Sequence, residues 1–453
     1  MDLTALAIRH VFYPLWVAKN RSLRLRYMAQ LEKSQYWSRE RLIEHQWSSF
    51  RRIFTHAYET CAYYHHKFRQ AGITPADLRS SKDIQMVPMT TKEEIQENRD
   101  RMISSHYSKE NLIQDMTGGS TGTPLQFYYD RDRLDSREAA TLRHDRWAGW
   151  DIGGRRALLW GAPQDTKVSG LFRSRVRDQI LARRLILDAS SLDEASMSQF
   201  AKDLIRYQPA TILAYANTLG LFAGYLQAEN ITGISPTAII SSAEVLTQEN
   251  RRLIEKTFGC PVYDRYGSRE FAVIASECSI HSGLHINAEN LLLEVVTDRG
   301  PVIGDNGEIV ITDLSNLAMP MIRYRIRDMG HLMEETCQCS RGLPLLKLSA
   351  GRVTDFLVAT NGKRVSGIVV ATYVVTNISG IRQVQFVQHE VGSVTVNLVK
   401  GHDWSAQTMD KLKDRIRKFL GSEMQIEIAF RDRIPQERSG KYRFAISTLA
   451  SQS

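Results

Sequence analysis

The first 115 residues have the composition and spacing of helices. Residues 27–43 and 47–71 are rich in helix formers and contain neither glycine nor proline, so each segment predicts a long helix. Gly72 follows the second segment, at a position where glycine commonly ends a helix. Thr91 and Glu94 have the spacing of a capping box, which predicts a further helix. We therefore expect a mostly helical N-terminal region, residues 1–115.

From about residue 155 onward, short apolar segments alternate with helical ones. Residues 156–161, 211–215, 237–241 and 262–266 predict strands, and residues 219–226 and 248–258 predict helices. Gly259 directly follows the second of these helices, as expected at a helix end. Because a strand–helix–strand succession favours parallel strands covered by helices, we expect a largely parallel sheet.

After residue 284 the pattern changes to strands joined by turns. Residues 291–297 and 308–313 predict strands of a small antiparallel barrel. Near the end, residues 384–389 and 393–399 predict a hairpin around Gly392, residues 410–420 an amphipathic helix, and residues 424–430 another strand. The expected fold class is α/β. A large domain, residues 1–352, has a helical start, a parallel sheet core and a small β-barrel part, and a small α+β domain follows at residues 353–453.

Composition and charge narrow the choice of partners. The 453 residues carry a formal net charge of +9, while the hydrophobic (43%) and charged (24%) fractions are ordinary for a globular chain. The excess of cations suits an anionic partner, such as a nucleotide, coenzyme A, nucleic acid or an acidic membrane surface, but also an ordinary solvated surface. We expect no nucleic-acid partner, because the chain contains no nucleic-acid recognition motif.

The sequence also bears on the compartment. No run of 18 apolar residues predicts a membrane span, and the start lacks the pattern of a secretory signal peptide. We therefore expect a cytoplasmic protein. Residues 6–17 have the pattern of an amphipathic helix, which suits packing on its own domain or a peripheral contact with a membrane. A homodimer also stays open.

A segment rich in glycine and hydroxyl side chains predicts a phosphate-binding loop: Thr117-Gly118-Gly119-Ser120-Thr121-Gly122-Thr123-Pro124. Its glycines allow backbone N–H groups to point at one anion, and its hydroxyls add further donors. It lacks the Gly-Lys-Ser/Thr ending of a Walker A loop. A flexible surface turn would have a similar composition.

Three more polar segments carry candidate chemistry. Residues 263–270 follow a predicted strand, at the end of a parallel sheet where ligands bind. An aromatic side chain there suits stacking on a base, and a carboxylate there suits a hydrated magnesium ion. Asp328 is a bidentate acceptor suited to two ribose hydroxyls. Lys441 follows Ser439-Gly440, whose turn would project a cation suited to phosphate. Taken singly, each also suits an ordinary charged segment.

The order and spacing of these segments resemble the adenylate-forming superfamily, specifically its phenylacetate–coenzyme A ligase-like and CapK-like branch. The glycine-rich loop matches the family's phosphate loop. The other matches are residues 240–244 and 266–270 for the adenine and magnesium segments, Arg327-Asp328 for the ribose, residues 351–355 for the hinge, and Ser439-Gly440-Lys441 for the catalytic lysine. Thr90-Thr91-Lys92 also resembles the branch's helical N-terminal region.

The resemblance implies ATP-dependent activation of a carboxylic acid to an acyl-adenylate, with release of pyrophosphate. It implies ATP-binding roles for Thr117, Gly118, Gly119, Ser120, Thr121, Gly122, Thr123, Ser242, Ala243, Glu244, Asp264, Tyr266, Gly267, Ser268, Asp328 and Arg352. Lys441 and Glu270 would be catalytic, with Glu270 on Mg²⁺, and Asp355 would be the hinge of a mobile small domain. Tyr215, Ala216 and Asn217 would lie near the acid.

The acceptor of the acyl group is less well indicated. Coenzyme A is the acceptor that the resemblance favours. An amine or hydroxyl compound in polysaccharide or natural-product biosynthesis stays open, because residues 361–366 depart from the usual post-hinge sequence of the coenzyme A ligases. A third alternative is a nucleotide-binding scaffold without catalysis.

Four residues suit a zinc site. Cys278 and His281 lie about 60 positions before Cys337 and Cys339, and three thiols with one imidazole suit a closed tetrahedral site. His285 could replace His281. The resemblance supports zinc, because cysteines recur at these places in some members, whereas free cysteines in turns are the alternative.

Overall fold

A computed structural model of the chain describes residues 2–117, 125–160, 183–188, 194–352, 356–362, 364–366, 370–371, 378, 380–401, 404–434 and 443–449. It has a sheet-rich α/β body and a smaller α+β unit near the C-terminus. The fold class predicted from the sequence is confirmed. None of the described helices combines the length and the apolar content that crossing a membrane requires.

The N-terminal region is helical, as predicted. Its elements are α1 (Leu3–Ala7), a π-helical turn (Ile8–Phe12), α2 (Tyr13–Lys19), α3 (Arg24–Ser34), α4 (Arg39–Thr60), α5 (Ala62–Gln70) and α6 (Lys92–Asn98). The predicted capping box at the start of α6 is confirmed, because the Thr91 hydroxyl accepts from the Glu94 N–H and the Glu94 carboxylate accepts from the Thr91 N–H.

The two long helices predicted at residues 27–43 and 47–71 are wrong in their boundaries. The chain leaves the helix after Ser34 and begins α4 at Arg39, where Ser38 is extended and its hydroxyl accepts from the Arg41 N–H. A tertiary bond from the Gly342 N–H to the Gln35 carbonyl (2.9 Å) holds this break. Cys61, with φ −111° and ψ 112°, separates α4 from α5. A distant contact and a cap outweigh helix propensity here.

The parallel sheet is also confirmed. A hairpin of β1 (Ile113–Met116) and β2 (Gln126–Tyr129) is followed by helix α7 (Arg131–Trp147). Strands β3 (Arg156–Trp160), β4 (Arg184–Asp188), β5 (Thr211–Tyr215), β6 (Ala238–Ser242) and β7 (Val262–Ser268) then run parallel in the order β4-β3-β5-β6-β7. Helices α8 (Glu194–Tyr207), α9 (Ala216–Ala228) and α10 (Gln248–Phe258) connect them and share a core with them.

Antiparallel strands extend this sheet beyond β7. They are β8 (Ala272–Glu277), β9 (Leu284–Ile286), β10 (Leu291–Thr297), β11 (Gly300–Pro301), β12 (Gly307–Asp313), β13 (Tyr324–Leu332) and β14 (Leu345–Arg352). Their order is β11-β10-β12-β13-β14-β9-β8, so among the described strands these seven and the five parallel strands form one sheet of twelve. The part predicted as a small barrel is thus continuous with the parallel part, and its apolar face packs on α4 and α5.

The C-terminal unit has its own sheet and core. After β15 (Phe356–Val358) and β16 (Arg364–Ser366) come β17 (Ile381–Gln388), β18 (Ser393–Lys400), α11 (Ala406–Leu420), β19 (Gln425–Phe430) and β20 (Ala445–Ser447). Strands β15 and β16 pair with each other, the other four described strands pair in the order β19-β18-β17-β20, and α11 buries Leu412, Ile416 and Leu420 against them. The hairpin predicted around Gly392 is confirmed, with Gly392 at φ +88°. The boundary at residue 352 stays a prediction.

Candidate active site

The carboxyl ends of three neighbouring parallel strands lie level with one another. Tyr215 at the end of β5 pairs with Ser242 at the end of β6, and Ser242 pairs with Arg265 on β7. This edge of an open parallel sheet is where such folds bind ligands. The register therefore places the segment predicted to contact the acid beside the segments predicted to contact adenine.

A carboxylate joins two of these segments. Glu244, which follows β6, accepts a hydrogen bond from the backbone N–H of Asn217 (2.8 Å). Asn217 lies in the first turn of α9, whose N-cap residue Tyr215 provides no side-chain bond. A negative charge at this position also complements the positive end of the helix dipole. Glu244 thus fixes the relative position of the predicted acid and adenine segments.

The turn after β6 is strained. Ala243 has φ +69°, a left-handed conformation that costs a non-glycine residue about 1–2 kcal/mol. The conformation reverses the chain between the end of β6 and Glu244. Such strain is common at ligand sites, so Ala243 is consistent with a functional turn.

The predicted base-stacking and ribose residues lie in contact. The buried Tyr266 hydroxyl on β7 donates to the Asp328 carboxylate on β13 (2.7 Å). A β-bulge between Tyr266 and Gly267 shifts the pairing of β7 with β8. Gly267 is required there, because a Cβ atom would come within 2.5 Å of the Ala272 carbonyl oxygen. The bulge sets the direction of β7 just where Tyr266 meets Asp328.

The ribose candidate also lies at an irregular point of its strand. Arg327 has φ +66°, and the pairing of β13 with β14 shifts between Asp328 and Gly330. Asp328 lies opposite Arg352 across this pair. Two residues predicted from separate motifs are therefore neighbours in the backbone of the sheet.

The described residues form the stem of the predicted phosphate loop. The Thr117 N–H donates to the Leu125 carbonyl, and the Leu125 N–H donates to the Thr117 hydroxyl, both at 2.9 Å. This reciprocal pair closes the β1–β2 hairpin. The loop residues Gly118, Gly119, Ser120, Thr121, Gly122 and Thr123 lie outside the described residues, as do Asp355 and Lys441.

An arginine that the sequence analysis missed connects this stem to the Glu270 turn. Arg137 on α7 is 8% exposed, lies over the Tyr129 ring (4.5 Å) and donates to the Arg269 carbonyl (2.5 Å). Arg269 in turn lies 3.9 Å from the Asp115 carboxylate on β1. Arg137 sits among many charged residues in α7, so its sequence context gives no sign of this role.

Asp264 has an unusual environment. Burial, reinforced by the nearby Glu277 carboxylate, raises the pKa of Asp264 to about 7. Glu277 accepts the backbone N–H of Asp264 (2.9 Å) and pairs with Arg251 (2.8 Å). Asp264 therefore carries a proton over much of the mildly acidic pH range, and a cation or a donor beside it would favour its charged form.

Three of the five cysteines and one histidine converge, and the three cysteines are those that the spacing suggested. The Cys278 and Cys337 sulfur atoms lie 3.6 Å apart, and the Cys339 sulfur lies 3.2 Å from the His285 Nε2 atom. The four potential ligand atoms all lie within 4.8 Å of one another. They join the β8–β9 connection to the turn between β13 and β14.

The histidine in this group is His285 rather than His281. His281 has φ +54°, its Nδ1 atom lies 2.9 Å from the Glu277 carboxylate and its ring packs on Tyr263 (4.8 Å). His285 is fully buried on β9, and burial lowers its pKa to about 4. Its ring is therefore neutral near pH 7, as a metal ligand must be.

Together these contacts form a site at one edge of the sheet. Strands β5, β6 and β7 lie side by side there, Tyr266 on β7 contacts Asp328 on β13, and Arg137 joins the Glu270 turn to Tyr129 on β2. Such an arrangement suits a nucleotide with a second small ligand beside it.

Comparisons with known proteins agree with this geometry. Residues 357–448 match the CapK C-terminal domain family. The chain is 28% identical to protein CapK of Staphylococcus aureus over 81% of both chains. It is 27% identical to phenylacetate–coenzyme A ligase of Pseudomonas putida, over 73% of this chain and 75% of that protein.

A solved structure shares the fold. A 2-hydroxyisobutyryl-CoA ligase in complex with 2-HIB-AMP superposes with a TM-score of 0.72 at 18% identity, covering 89% of this chain and 88% of that one. The motif order, the fold and these relatives all agree. The chain is thus similar in sequence to CapK and to phenylacetate–coenzyme A ligase, and it shares its fold with an acyl-coenzyme A ligase, as the resemblance of its motifs to the adenylate-forming superfamily leads one to expect.

Proposed function

We propose that the chain uses ATP to convert a carboxylic acid to an acyl-adenylate and then transfers the acyl group to coenzyme A. The acid's carboxylate oxygen bonds to the α-phosphorus of ATP, and the bond to the pyrophosphate leaving group breaks. The thiol sulfur of coenzyme A then bonds to the acyl carbon, AMP leaves, and the thiol loses its proton. The contact between Tyr266 and Asp328 is the observation that carries this proposal.

That contact suits recognition of a nucleoside. A carboxylate has about four acceptor positions, and the bond from Tyr266 uses one of those on Asp328. Ribose hydroxyls bound by this carboxylate would lie beside the tyrosine ring, which would then face the attached base. One pair of residues would thus bind both the ribose and the adenine of adenosine.

The remaining roles follow from position. Thr117 holds the stem of the phosphate loop, and Glu270 lies in the turn that Arg137 and Arg269 connect to that stem. Glu270 would hold a magnesium ion, which neutralises phosphate charge when it is bound. Lys441 would lie between the acid and the α-phosphate. Catalysis would then consist of positioning and charge stabilisation, with no covalent enzyme intermediate.

The acid would bind beside the end of β5. Tyr215 is 1% exposed, and its ring lies 4.2 Å from that of Trp160 at the end of β3. Ala216 and Asn217 continue from Tyr215 into α9. An aromatic wall next to the adenine segment supports an acid with an apolar body, such as an aryl or a branched aliphatic acid.

Exchange of radioactive pyrophosphate into ATP against a panel of carboxylic acids tests the first half-reaction. We expect one acid class to support exchange, and mass spectrometry to detect the thioester once coenzyme A is added. A folded protein that binds ATP but exchanges pyrophosphate with no acid of a broad panel would instead be a nucleotide-binding scaffold.

An amine or hydroxyl acceptor is a second proposal, made because residues 361–366 depart from the usual post-hinge sequence of the coenzyme A ligases. The family match covers residues 357–448 and is to the CapK C-terminal domain, and this part of the chain would present the acceptor. An amine or a sugar hydroxyl would then replace the coenzyme A thiol. An adenylate that survives coenzyme A but is discharged by an amine or hydroxyl compound would identify this alternative.

We further propose that Cys278, His285, Cys337 and Cys339 hold a structural zinc ion. Zinc–sulfur bonds of about 2.3 Å at tetrahedral angles separate two sulfur atoms by about 3.8 Å, close to the 3.6 Å between Cys278 and Cys337. Burial raises the pKa of Cys278 to about 12, so a thiolate there requires a cation beside it. The ion would hold the β8–β9 and β13–β14 connections together and so support the strands that carry Tyr266 and Asp328.

A further inference from the structure

The first helical segment of the chain exposes a row of apolar side chains. The N-terminal arm, residues 3–19, comprises α1, the π-helical turn and α2. Leu3, Val11, Phe12 and Leu15 along it are between 50% and 75% exposed. Val11 and Phe12 are consecutive residues of the π-helical turn, and both are exposed. Neither the ATP site nor the cysteine cluster uses these side chains.

The arm is nevertheless firmly docked on the body. Its inner face buries Ile8 (3% exposed) and Val17 (5%). The Arg9 side chain donates to the Ile152 carbonyl (3.2 Å). Gly153 permits a very close backbone approach, because a Cβ atom there would come within 2.6 Å of the Ala5 carbonyl oxygen. The orientation of the arm is thus set by contacts on one side, and its apolar row faces away from them.

The charged side chains of the arm itself and of the segment that follows it all have one sign. Residues 3–31 include Arg9, Lys19, Arg21, Arg24 and Arg26 but no aspartate or glutamate. Arg9 and Arg24 pair with carboxylates of the body. The other three cations are exposed: Lys19 ends α2, Arg21 lies in the α2–α3 connection, and Arg26 lies in the first turn of α3.

Aromatic side chains lie at the margin of the row. Tyr13 and Trp16 are half-buried, and their ring centroids are 5.8 Å apart. Tyrosine and tryptophan are enriched at the level of lipid headgroups, where one side of a ring is apolar and the other wet. Apolar, aromatic and cationic groups therefore follow one another along the arm.

We propose that the N-terminal arm binds the surface of an anionic phospholipid membrane, with its apolar row in the headgroup–acyl boundary and Lys19, Arg21 and Arg26 on lipid phosphates. Amphipathic helices bind in this way when apolar burial and attraction to anionic lipid act together. A second copy of the chain fits less well, because a two-fold interface through this row would bring the same cations together.

Sedimentation with lipid vesicles tests the proposal. The full-length protein should pellet with vesicles of equal parts phosphatidylglycerol and phosphatidylcholine, and much less with pure phosphatidylcholine. Binding should weaken as salt shortens the Debye length from about 8 Å to about 3 Å. Equal binding to both vesicle types, or no binding to either, would overturn the proposal.

Two variants separate the apolar from the charged contribution. The triple change Val11→Ser, Phe12→Ser and Leu15→Ser, and the double change Lys19→Glu and Arg21→Glu, should each lower the affinity for the anionic vesicles at least about tenfold. The matched controls Ile303→Ser with Val391→Ser, and Lys411→Glu with Lys418→Glu, change exposed residues elsewhere and should bind as the parent does.

Two further measurements serve as controls for folding and for catalytic activity. Thermal melting and pyrophosphate exchange should be unchanged in both arm variants, because the altered residues are exposed and lie outside the proposed active site. Arm variants that bind vesicles as tightly as the parent would refute the proposal. So would a triple variant whose main effect, in sedimentation velocity without lipid, is to convert a dimer to a monomer.

Discussion

At the residue scale, the contact between Tyr266 and Asp328 shows which features of the candidate site can be predicted from the sequence and which cannot. The motifs around each residue indicate a role in an ATP site through their resemblance to a family. Their hydrogen bond joins residues 62 positions apart on β7 and β13. No local periodicity predicts such a bond, because it depends on the bulge at Gly267 and on how the antiparallel strands continue the sheet.

Replacing Asp328 by alanine should weaken ATP binding. The change removes the charged acceptor proposed for the ribose hydroxyls, and hydrogen bonds to charged groups contribute about 1.5–3 kcal/mol each. The dissociation constant for ATP, measured by calorimetry, should therefore rise at least about tenfold. Asp298→Ala, at an exposed carboxylate in the turn between β10 and β11, is the matched control. Unchanged ATP affinity in folded Asp328→Ala would remove Asp328 from the nucleotide site.

Asp264 should make the stability of the protein depend on pH. Its pKa is raised in the folded state to about 7, from 3.8, so the folded protein holds this proton more firmly than the unfolded chain does. The contribution of Asp264 to the free energy of unfolding therefore falls as pH rises through this range. An asparagine side chain carries no charge at any pH in this range. Asp264→Asn should raise the melting temperature relative to the parent at about pH 8, and the gain should shrink toward about pH 4.

Melting curves of both proteins across that range provide the check. Asp305→Asn, which changes an exposed carboxylate, should show a difference from the parent that does not grow with pH. A constant difference between Asp264→Asn and the parent would show that Asp264 does not titrate as proposed.

At the element scale, most strands of the parallel sheet and the C-terminal hairpin follow from sequence pattern. Residues 211–215 and 248–258, for example, form their predicted elements with the same bounds. The helix breaks at residues 35–38 and at Cys61 do not follow, because a tertiary bond from Gly342 and the cap at Ser38 decide the first break. Periodicity records which face of an element is apolar, but not where a distant contact interrupts it.

The choice between two histidines illustrates the same limit. Spacing identifies Cys278, Cys337 and Cys339 as a group but allows either His281 or His285 beside them. Strand β9 carries His285 inward, whereas the turn before it directs His281 to the Glu277 carboxylate. The pairing of β8 with β9 decides this, and the sequence alone does not specify that pairing.

This geometry predicts a bound zinc ion, and the two histidines provide a matched pair of variants to test it. Protein purified without chelator should contain about one zinc ion per chain by elemental analysis. His285→Gln should lose the ion, and His281→Gln should retain it. Cys337→Ser and Cys339→Ser should also lose it, and their melting temperature should fall by roughly 5 °C or more, because a structural ion contributes several kcal/mol. Parent protein without metal, or loss from His281→Gln alone, would contradict the assignment.

At the scale of the whole molecule, the order of the motifs along the chain predicts the family and the broad fold. It does not predict the acid, because the walls near Tyr215 come from the ends of separate strands whose packing sets their shape. It does not predict the acceptor either, which the C-terminal part would present. These two questions concern surfaces built from several elements, and sequence patterns describe elements one at a time.

The last prediction concerns the division of the chain into two parts. The proposed adenosine contacts lie on strands before residue 352, whereas Lys441 follows β19 in the C-terminal part. Adenylation would therefore require the C-terminal part to bring Lys441 to the acid and the α-phosphate. The lysine would offset the negative charge that develops there. Loss of one such donor costs about 2.7–4 kcal/mol, or roughly 100- to 1,000-fold in rate.

Transfer to the acceptor makes no such demand, because pyrophosphate has already left. A rotation near Asp355 would present another face of the C-terminal part for this step. Lys441→Ala should therefore lower pyrophosphate exchange by about 100-fold or more while largely sparing thioester formation from a supplied acyl-adenylate. Lys418→Ala, at an exposed lysine of α11, should affect neither. Equal losses in both half-reactions of a folded Lys441→Ala protein would show that one arrangement of the two parts serves both steps.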